Sequence, residues 1–352
     1  MSDDTSAAGT DPVRWGFLTT GKIARAVAAD LALVDSARLV AVGARSLASA
    51  EAFVAAHAPG ARPHGSYAAL VADSEVEVVY VGSPHALHLE HARLAIEAGK
   101  HVLCEKPLTL NAREATEMVR LAREHDVFLM EAMWTACHPV VRAMRARLAA
   151  GEFGTPRQLR AELGFVVAAG PDDRLLDPAL GASALLDMGI YPLTLAQLLL
   201  GEPEELTATA VLAEAGIDLD VAIAGRYPGG ALATMSASMT SWSDRSAAIA
   251  TDRGRIEIEG QFHHPDRAVF HPYLDGSTND RSGYGEPVEI TGGEPVVGRG
   301  YAHEVAEVDR CVRAGLRESP LVPHAQTLAV MRQLDDVRHQ VGVTFPADEP
   351  GD

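Results

Sequence analysis

Between Val13 and Met133 the chain alternates short apolar, β-favouring runs with longer stretches in which apolar residues recur every three or four positions. The runs VRWGFL, ARLVAVGA, VEVVYVGS, HVLCEK and VFLMEAM carry too few polar positions for a strand with one wet face, and predict strands buried on both faces. KIARAVAADLAL, LASAEAFVAAHA, ALHLEHARLAIEAG and NAREATEMVRLAREH have the helical period and follow the first four strands. Strand–helix alternation of this kind predicts an α/β unit with a doubly wound, Rossmann-type parallel sheet over residues 13–133.

Past HPVVRAMRARLAAGEFG, a helix stopped by Gly151 and Gly154, the period changes to that of strands. LTATAVLA, LDVAIAGRY, ALATMSASM, SAAIATDRGRIEIEG and RAVFHPY succeed one another across Gly, Pro and Asp turns, which predicts an α+β domain over 134–346 with a large, mainly antiparallel sheet open on one face. Two helices, AHEVAEVDRCVRAGL and HAQTLAVMRQLDDVRHQV, close the chain. The polar ends, residues 1–12 and 347–352, are expected to be disordered and flexible. SALLDMGIYPLTLAQLLLG reads as an amphipathic helix that holds Gly189 and Pro192 in its interior, at about 1 and 3 kcal/mol relative to alanine. Helix stability alone does not account for that choice of residues.

Charge narrows the partners. With 48 acidic against 30 basic residues the net charge is −18, which opposes nucleic acid and anionic membrane surfaces and favours a small-molecule substrate. Three cysteines without a CxxC pair, and no basic, apolar leader, point to a reducing, cytoplasmic setting.

The chemistry starts where the first strand meets its helix. Thr19-Thr20-Gly21-Lys22-Ile23-Ala24 occupies the place of a G-x-G-x-x-[GA] phosphate turn, with threonine for the first glycine; free N–H groups at such a helix start bind a pyrophosphate, the other reading being an ordinary strand–helix turn. At the end of the second strand, where an acid would hold the ribose of NAD, stand Arg45 and Ser46. A guanidinium there suits a 2′-phosphate, so NADP is expected over NAD, the other reading being a solvated arginine. Lys106, in Cys-Glu-Lys-Pro, leaves a central strand at the ligand-binding edge, either as a surface ion pair or as a cation for a ligand, with Glu105 available to hold its ammonium. Asp187 and Tyr191 are four residues apart on one helix face and make candidate acid/base groups. A lysine about 4 Å from the phenol would lower its pKa by at most about three units, with desolvation opposing. His85, His88 and His91 lack a third type of ligand, so no metal is expected; His263 and His264, before Pro265, read as solvated, and Cys104 as an inert buried thiol.

CEKP at the end of a strand of the α/β unit, GSPHALH on the preceding strand and helix, and ALLDMGIYPL in the second domain together resemble the glucose-fructose oxidoreductase/inositol dehydrogenase (Gfo/Idh/MocA) family. VLCEKP, LMEAMWT, LLDMGIY, ESPLVP and GVTFP are similar to the branch that holds dimeric dihydrodiol dehydrogenase and NADP-dependent D-xylose dehydrogenase. The resemblance implies hydride transfer between a nicotinamide and a sugar or cyclic diol, with Lys106, Asp187 and Tyr191 catalytic. It implies cofactor contacts from Thr19 to Ile23, Arg45, Ser46, Ser83, His85, His88, Glu105, Lys106 and Trp134, and substrate contacts from Lys106, Trp134, Leu163, Asp187 and Tyr191. It also implies a homodimer, or a dimer of dimers, through the open sheet face. Ala136, Cys137, His138 and Leu163 depart from the aromatic wall of the diol enzymes, which keeps a sugar or small polyol in play. A cofactor-binding sensor without turnover is the alternative class, and the intact Lys106, Asp187 and Tyr191 set argues against it.

Overall fold

The computed structural model describes residues 11–168, 175–274 and 283–348, so most of both expected flexible ends lies outside the described residues. The first unit runs β1 (Val13–Leu18), α1 (Lys22–Leu31), β2 (Ala37–Gly43), α2 (Leu47–His57), β3 (Arg62–His64), α3 (Tyr67–Val71), β4 (Val78–Val81), α4 (His88–Glu97), β5 (His101–Glu105), α5 (Ala112–Glu124) and β6 (Leu129–Ala132). Its six strands are all parallel in the order β3-β2-β1-β4-β5-β6, which is the doubly wound arrangement. The inner strands are apolar because helices cover both faces, and β4 is buried along its whole length.

After α6 (Trp134–Cys137) and α7 (Pro139–Ala149), β7 (Pro156–Gly164) opens the second sheet, and α8 (Ile190–Leu200) covers it. Strands β8 (Glu205–Leu212), β9 (Asp218–Tyr227), β10 (Ala231–Ser238), β11 (Ala247–Thr251), β12 (Gly254–Glu259), β13 (Arg267–Pro272) and β14 (Val288–Ile290) complete it in the order β14-β13-β12-β11-β7-β10-β9-β8. Among the described residues only the β7–β10 pair of this sheet is parallel. In β10, Ala231, Ala233, Met235 and Ala237 are buried while Leu232 between them is 52% exposed: one face packs on α8 and the other is open.

Only one of the last two helices stays with this sheet. α9 (Tyr301–Arg313) packs on α1, whereas α10 (His324–Val341) packs on the edge strand β8 and also on α5 and α8. Trp15, wholly buried, donates from Nε1 to Asp309 at 2.9 Å. Asp30, on α1, accepts from the backbone N–H of Arg299 and Tyr301, both at 2.9 Å, and so caps the start of α9. Residues 301–313, expected in the second unit, therefore complete the first. Ala347 and Asp348, expected in a flexible tail, are tied down: Asp348 pairs with Arg338 at 2.7 Å and accepts from Asn111 at 2.9 Å.

Candidate active site

Thr19, Arg45, Ser83, Lys106 and Trp134 each follow the carboxyl end of a parallel strand, so they share the ligand side of the sheet. Thr19 has φ 134°, a conformation that favours glycine; the turn keeps the glycine shape without the glycine. Its Oγ1 donates to the Gly82 carbonyl at 3.1 Å, joining the ends of β1 and β4. Gly21 caps α1 without any side-chain hydrogen bond, and a Cβ on it would meet nothing within 4 Å. Open space before an uncapped helix start is what a pyrophosphate requires, and these residues fit a dinucleotide. Thr20 and Ile23 are half-buried beside it, while Lys22, Arg45 and Ser46 are exposed. Ser46 also caps α2, its Oγ accepting from Ser49 N at 3.3 Å.

Lys106 reaches across to the second unit. Its Nζ donates to the Asp187 carbonyl at 2.7 Å, lies 3.3 Å from Asp187 Oδ1, and stands over the Tyr191 ring, 4.8 Å from the centroid. The segment that receives it is not the amphipathic α-helix expected. Leu185–Gly189 is π-helical and runs into α8, with apolar side chains buried nearly all round. Ile190 N donates to Leu185 O, five residues back. Were that register continued, the next carbonyls would be Leu186 and then Asp187, and the N–H aimed at Asp187 would belong to Pro192, which has none. The Asp187 carbonyl takes the ammonium instead. Gly189 has a packing reason as well, since a Cβ there would lie 2.9 Å from Leu185 Cδ1.

Two expectations about charge are corrected. Glu105 does not hold the ammonium among the described contacts; Tyr80 OH donates to Glu105 at 2.7 Å and the Lys106 backbone N–H donates at 3.3 Å. Burial raises the Glu105 pKa. Nor is Tyr191 acidified by Lys106. Burial pushes the phenol well above its ordinary value, Trp134 Nε1 donating at 3.0 Å opposes this, and Glu105, Asp187 and Glu304 reinforce it. The cation faces the ring rather than the hydroxyl, and with Tyr191 only 7% exposed, desolvation wins.

The implied ligand contacts divide. Ser83 and His85 are nearly buried beside the site, with His85 Nε2 3.9 Å from Asp187 Oδ1. His88 is wholly buried, spanning the Pro107 carbonyl at 2.9 Å and the Ser83 carbonyl at 2.8 Å; it braces the two turns and leaves no surface for a ligand. Leu163 is 3% exposed within the core, and Ala136, Cys137 and His138 are buried too, so these departures lie in packing rather than on an open wall.

Other residues form that wall. His263 and His264, read as solvated, pack on the site instead: His263 is buried with its ring 4.8 Å from Tyr191, and His264, half-buried, stacks on Trp134 at 5.0 Å and 26°. Burial depresses both pKa values. Tyr301 stacks on Trp134 at 4.3 Å and 17°. The adjacent histidines were a visible signal; Tyr301, at the start of a late helix, offered none beyond the glycines before it.

Comparison with known proteins agrees with this geometry. The oxidoreductase family NAD-binding Rossmann domain matches residues 13–133, and the GFO/IDH/MocA C-terminal domain matches 141–261. A trans-1,2-dihydrobenzene-1,2-diol dehydrogenase of Sus scrofa is 35% identical, covering 96% of this chain and 99% of its own; the Homo sapiens protein of that name is 34% identical with the same coverage. A 3-ketoreductase from Actinomadura kijaniata, solved with NADP and TDP-benzene, has a TM-score of 0.81 at 25% identity, covering 94% of this chain and 98% of its own. An aldose-aldose oxidoreductase from Caulobacter crescentus shares the fold, at TM-score 0.82 and 19% identity, over 94% and 98% of the two chains. Matched in both domains, and alike from end to end to dehydrogenases, the chain is a nicotinamide-dependent oxidoreductase and belongs to the Gfo/Idh/MocA family.

Proposed function

We propose that the protein uses NADP to interconvert an alcohol and a carbonyl on a sugar, small polyol or cyclic diol. One observation carries this reading: Lys106 converges with Asp187, 81 residues later in the sequence, and with Tyr191 on the ligand side of a dinucleotide-binding sheet. The bound nicotinamide supplies the hydride chemistry. Lys106 places its ammonium at the substrate oxygen and stabilises the negative charge that develops there. Tyr191, protonated at neutral pH because it is buried, gives its proton to that oxygen in reduction and takes it back in oxidation. Asp187 orients the ammonium.

Arg45 supports NADP, being exposed where a 2′-phosphate would lie, and the ketoreductase relative was solved with NADP. His263 and His264 beside Tyr191 and Trp134 support a hydroxylated substrate, since their ring nitrogens suit hydroxyl groups. An arene trans-dihydrodiol is the second reading, favoured by the name of the 35%-identical relative and by the stacked Trp134 and Tyr301. The open sheet face, with Val211 59% and Leu232 52% exposed, supports a homodimer, to be checked by light scattering.

The test is NADPH- and NADP-linked turnover with a panel of aldoses, keto sugars, inositols and dihydrodiols. Tight cofactor binding without turnover of any member would overturn the proposal.

A further inference from the structure

We infer that Trp134 is the positioning residue for proton transfer at Tyr191: its indole N–H occupies a lone pair of the phenol oxygen, turns the hydroxyl proton towards the substrate, and holds the phenolate once it forms. This rests on the reading of Tyr191 as the proton-transfer group. Trp134 Nε1 lies 3.0 Å from Tyr191 OH. An indole N–H only donates, so Tyr191 must accept in this contact and its single proton points elsewhere.

The donor is held in place. Tyr301 and His264 stack on the indole at 4.3 and 5.0 Å, and Gly300 sits so close that a Cβ on it would come within 3.3 Å of Trp134 Cε3. Lys106 does not serve this purpose, because its ammonium binds the Asp187 carbonyl at 2.7 Å and overlies the ring. The titratable neighbours are Glu105 at the end of β5 and Lys106 just after it, Asp187 on the π-helical segment, Tyr301 and Glu304 on α9, and His263 and His264 in the turn before Pro265. Of these, Glu105, Asp187 and Glu304 disfavour the phenolate, the histidines are kept neutral by burial, and the Trp134 N–H favours it. In oxidation the substrate hydroxyl proton passes to the phenolate oxygen while the hydride leaves for the nicotinamide. Reduction reverses both transfers.

Trp134→Phe keeps a ring for stacking and removes the N–H. The expected result is a fall in kcat for oxidation of about tenfold or more, with the rising limb of kcat against pH displaced upward by about one unit, as the loss of one hydrogen bond to an ionised oxygen implies. In a Tyr191→Phe background the same substitution adds no further loss. A readout independent of how that variant folds is the ¹H–¹⁵N spectrum of the indole groups of Trp15, Trp134 and Trp242, where Tyr191→Phe shifts one of the three resonances upfield. An unmoved pH profile with the loss confined to KM, an additive loss in the double variant, or three unchanged indole resonances would overturn the inference. If Tyr191→Phe itself keeps wild-type kcat, the reading of Tyr191 fails first.

Discussion

Replacing Lys106 with methionine removes the ammonium and keeps most of the stem that packs over Tyr191. Two losses follow, and the structure separates them. On the proposed mechanism the ammonium faces a forming alkoxide in the transition state; at about 3 Å and an effective dielectric of about 20 the gross attraction is about 5 kcal/mol. Removal of a single pre-organised donor of this kind typically lowers kcat by about 10²–10³. In the ground state the variant loses the contacts to Asp187 at 2.7 and 3.3 Å. Both side chains are largely buried, so about 1–2 kcal/mol of stability goes with them. For a chain of 352 residues with an unfolding entropy of about 2 cal/mol/K per residue, that is a fall in Tm of about 2 °C. Steady-state and single-turnover kinetics at 340 nm give kcat, fluorescence titration gives the NADPH Kd, and calorimetry gives Tm. A kcat within threefold of wild type, or a loss of activity matched by an equal loss of NADPH affinity, would refute the assignment.

Arg45→Ala should raise the KM for NADPH by about 10–100-fold and leave that for NADH nearly unchanged, measured as the ratio of the two coenzymes. Equal effects on both would place the guanidinium away from the 2′-phosphate. Asp30→Ala should lower stability by about 2 kcal/mol, because three backbone N–H groups at the start of α9 lose their acceptor; denaturant unfolding measures it. His88 has its pKa lowered by burial to about 4 from 6.5, so the folded protein holds that proton less tightly than the unfolded chain. Its contribution is present above pH 6.5 and is lost as pH falls towards 4, and His88→Asn should therefore be less destabilising at pH 5 than at pH 7, by about 2 kcal/mol. An equal penalty at both pH values would refute the shift.

The strands β1, β2, β4, β5 and β6 were legible because burial on both faces makes them continuously apolar. β3 was not: Arg62-Pro63-His64 is short and polar, and takes its conformation from pairing with β2 at the sheet edge. β7 is absent from the predicted runs, since its buried Leu159, Ala161 and Leu163 alternate with arginine, glutamine and glutamate, residues equally at home in a helix. Lys106, Asp187 and Tyr191 were visible as chemistry out of place in apolar surroundings. How they are arranged was not visible. Whether an ammonium lies at a phenol oxygen or over its ring depends on the π-helical offset at Leu185–Gly189, a register that no side-chain pattern announces. His263 and His264 look like surface residues until tertiary packing buries the first and stacks the second on Trp134.

The return of α9 to α1 bears on how the polypeptide is made. Trp15 waits for Asp309, 294 positions later, and Asp30 for Tyr301, 271 positions later. At about 5–20 residues per second of synthesis, that is a delay on the order of 15–60 s. Throughout it the turn after β1 has emerged from the ribosome while the flank of α1 remains bare and Asp30 lacks these donors. Expression of residues 13–133 alone should therefore yield an insoluble product.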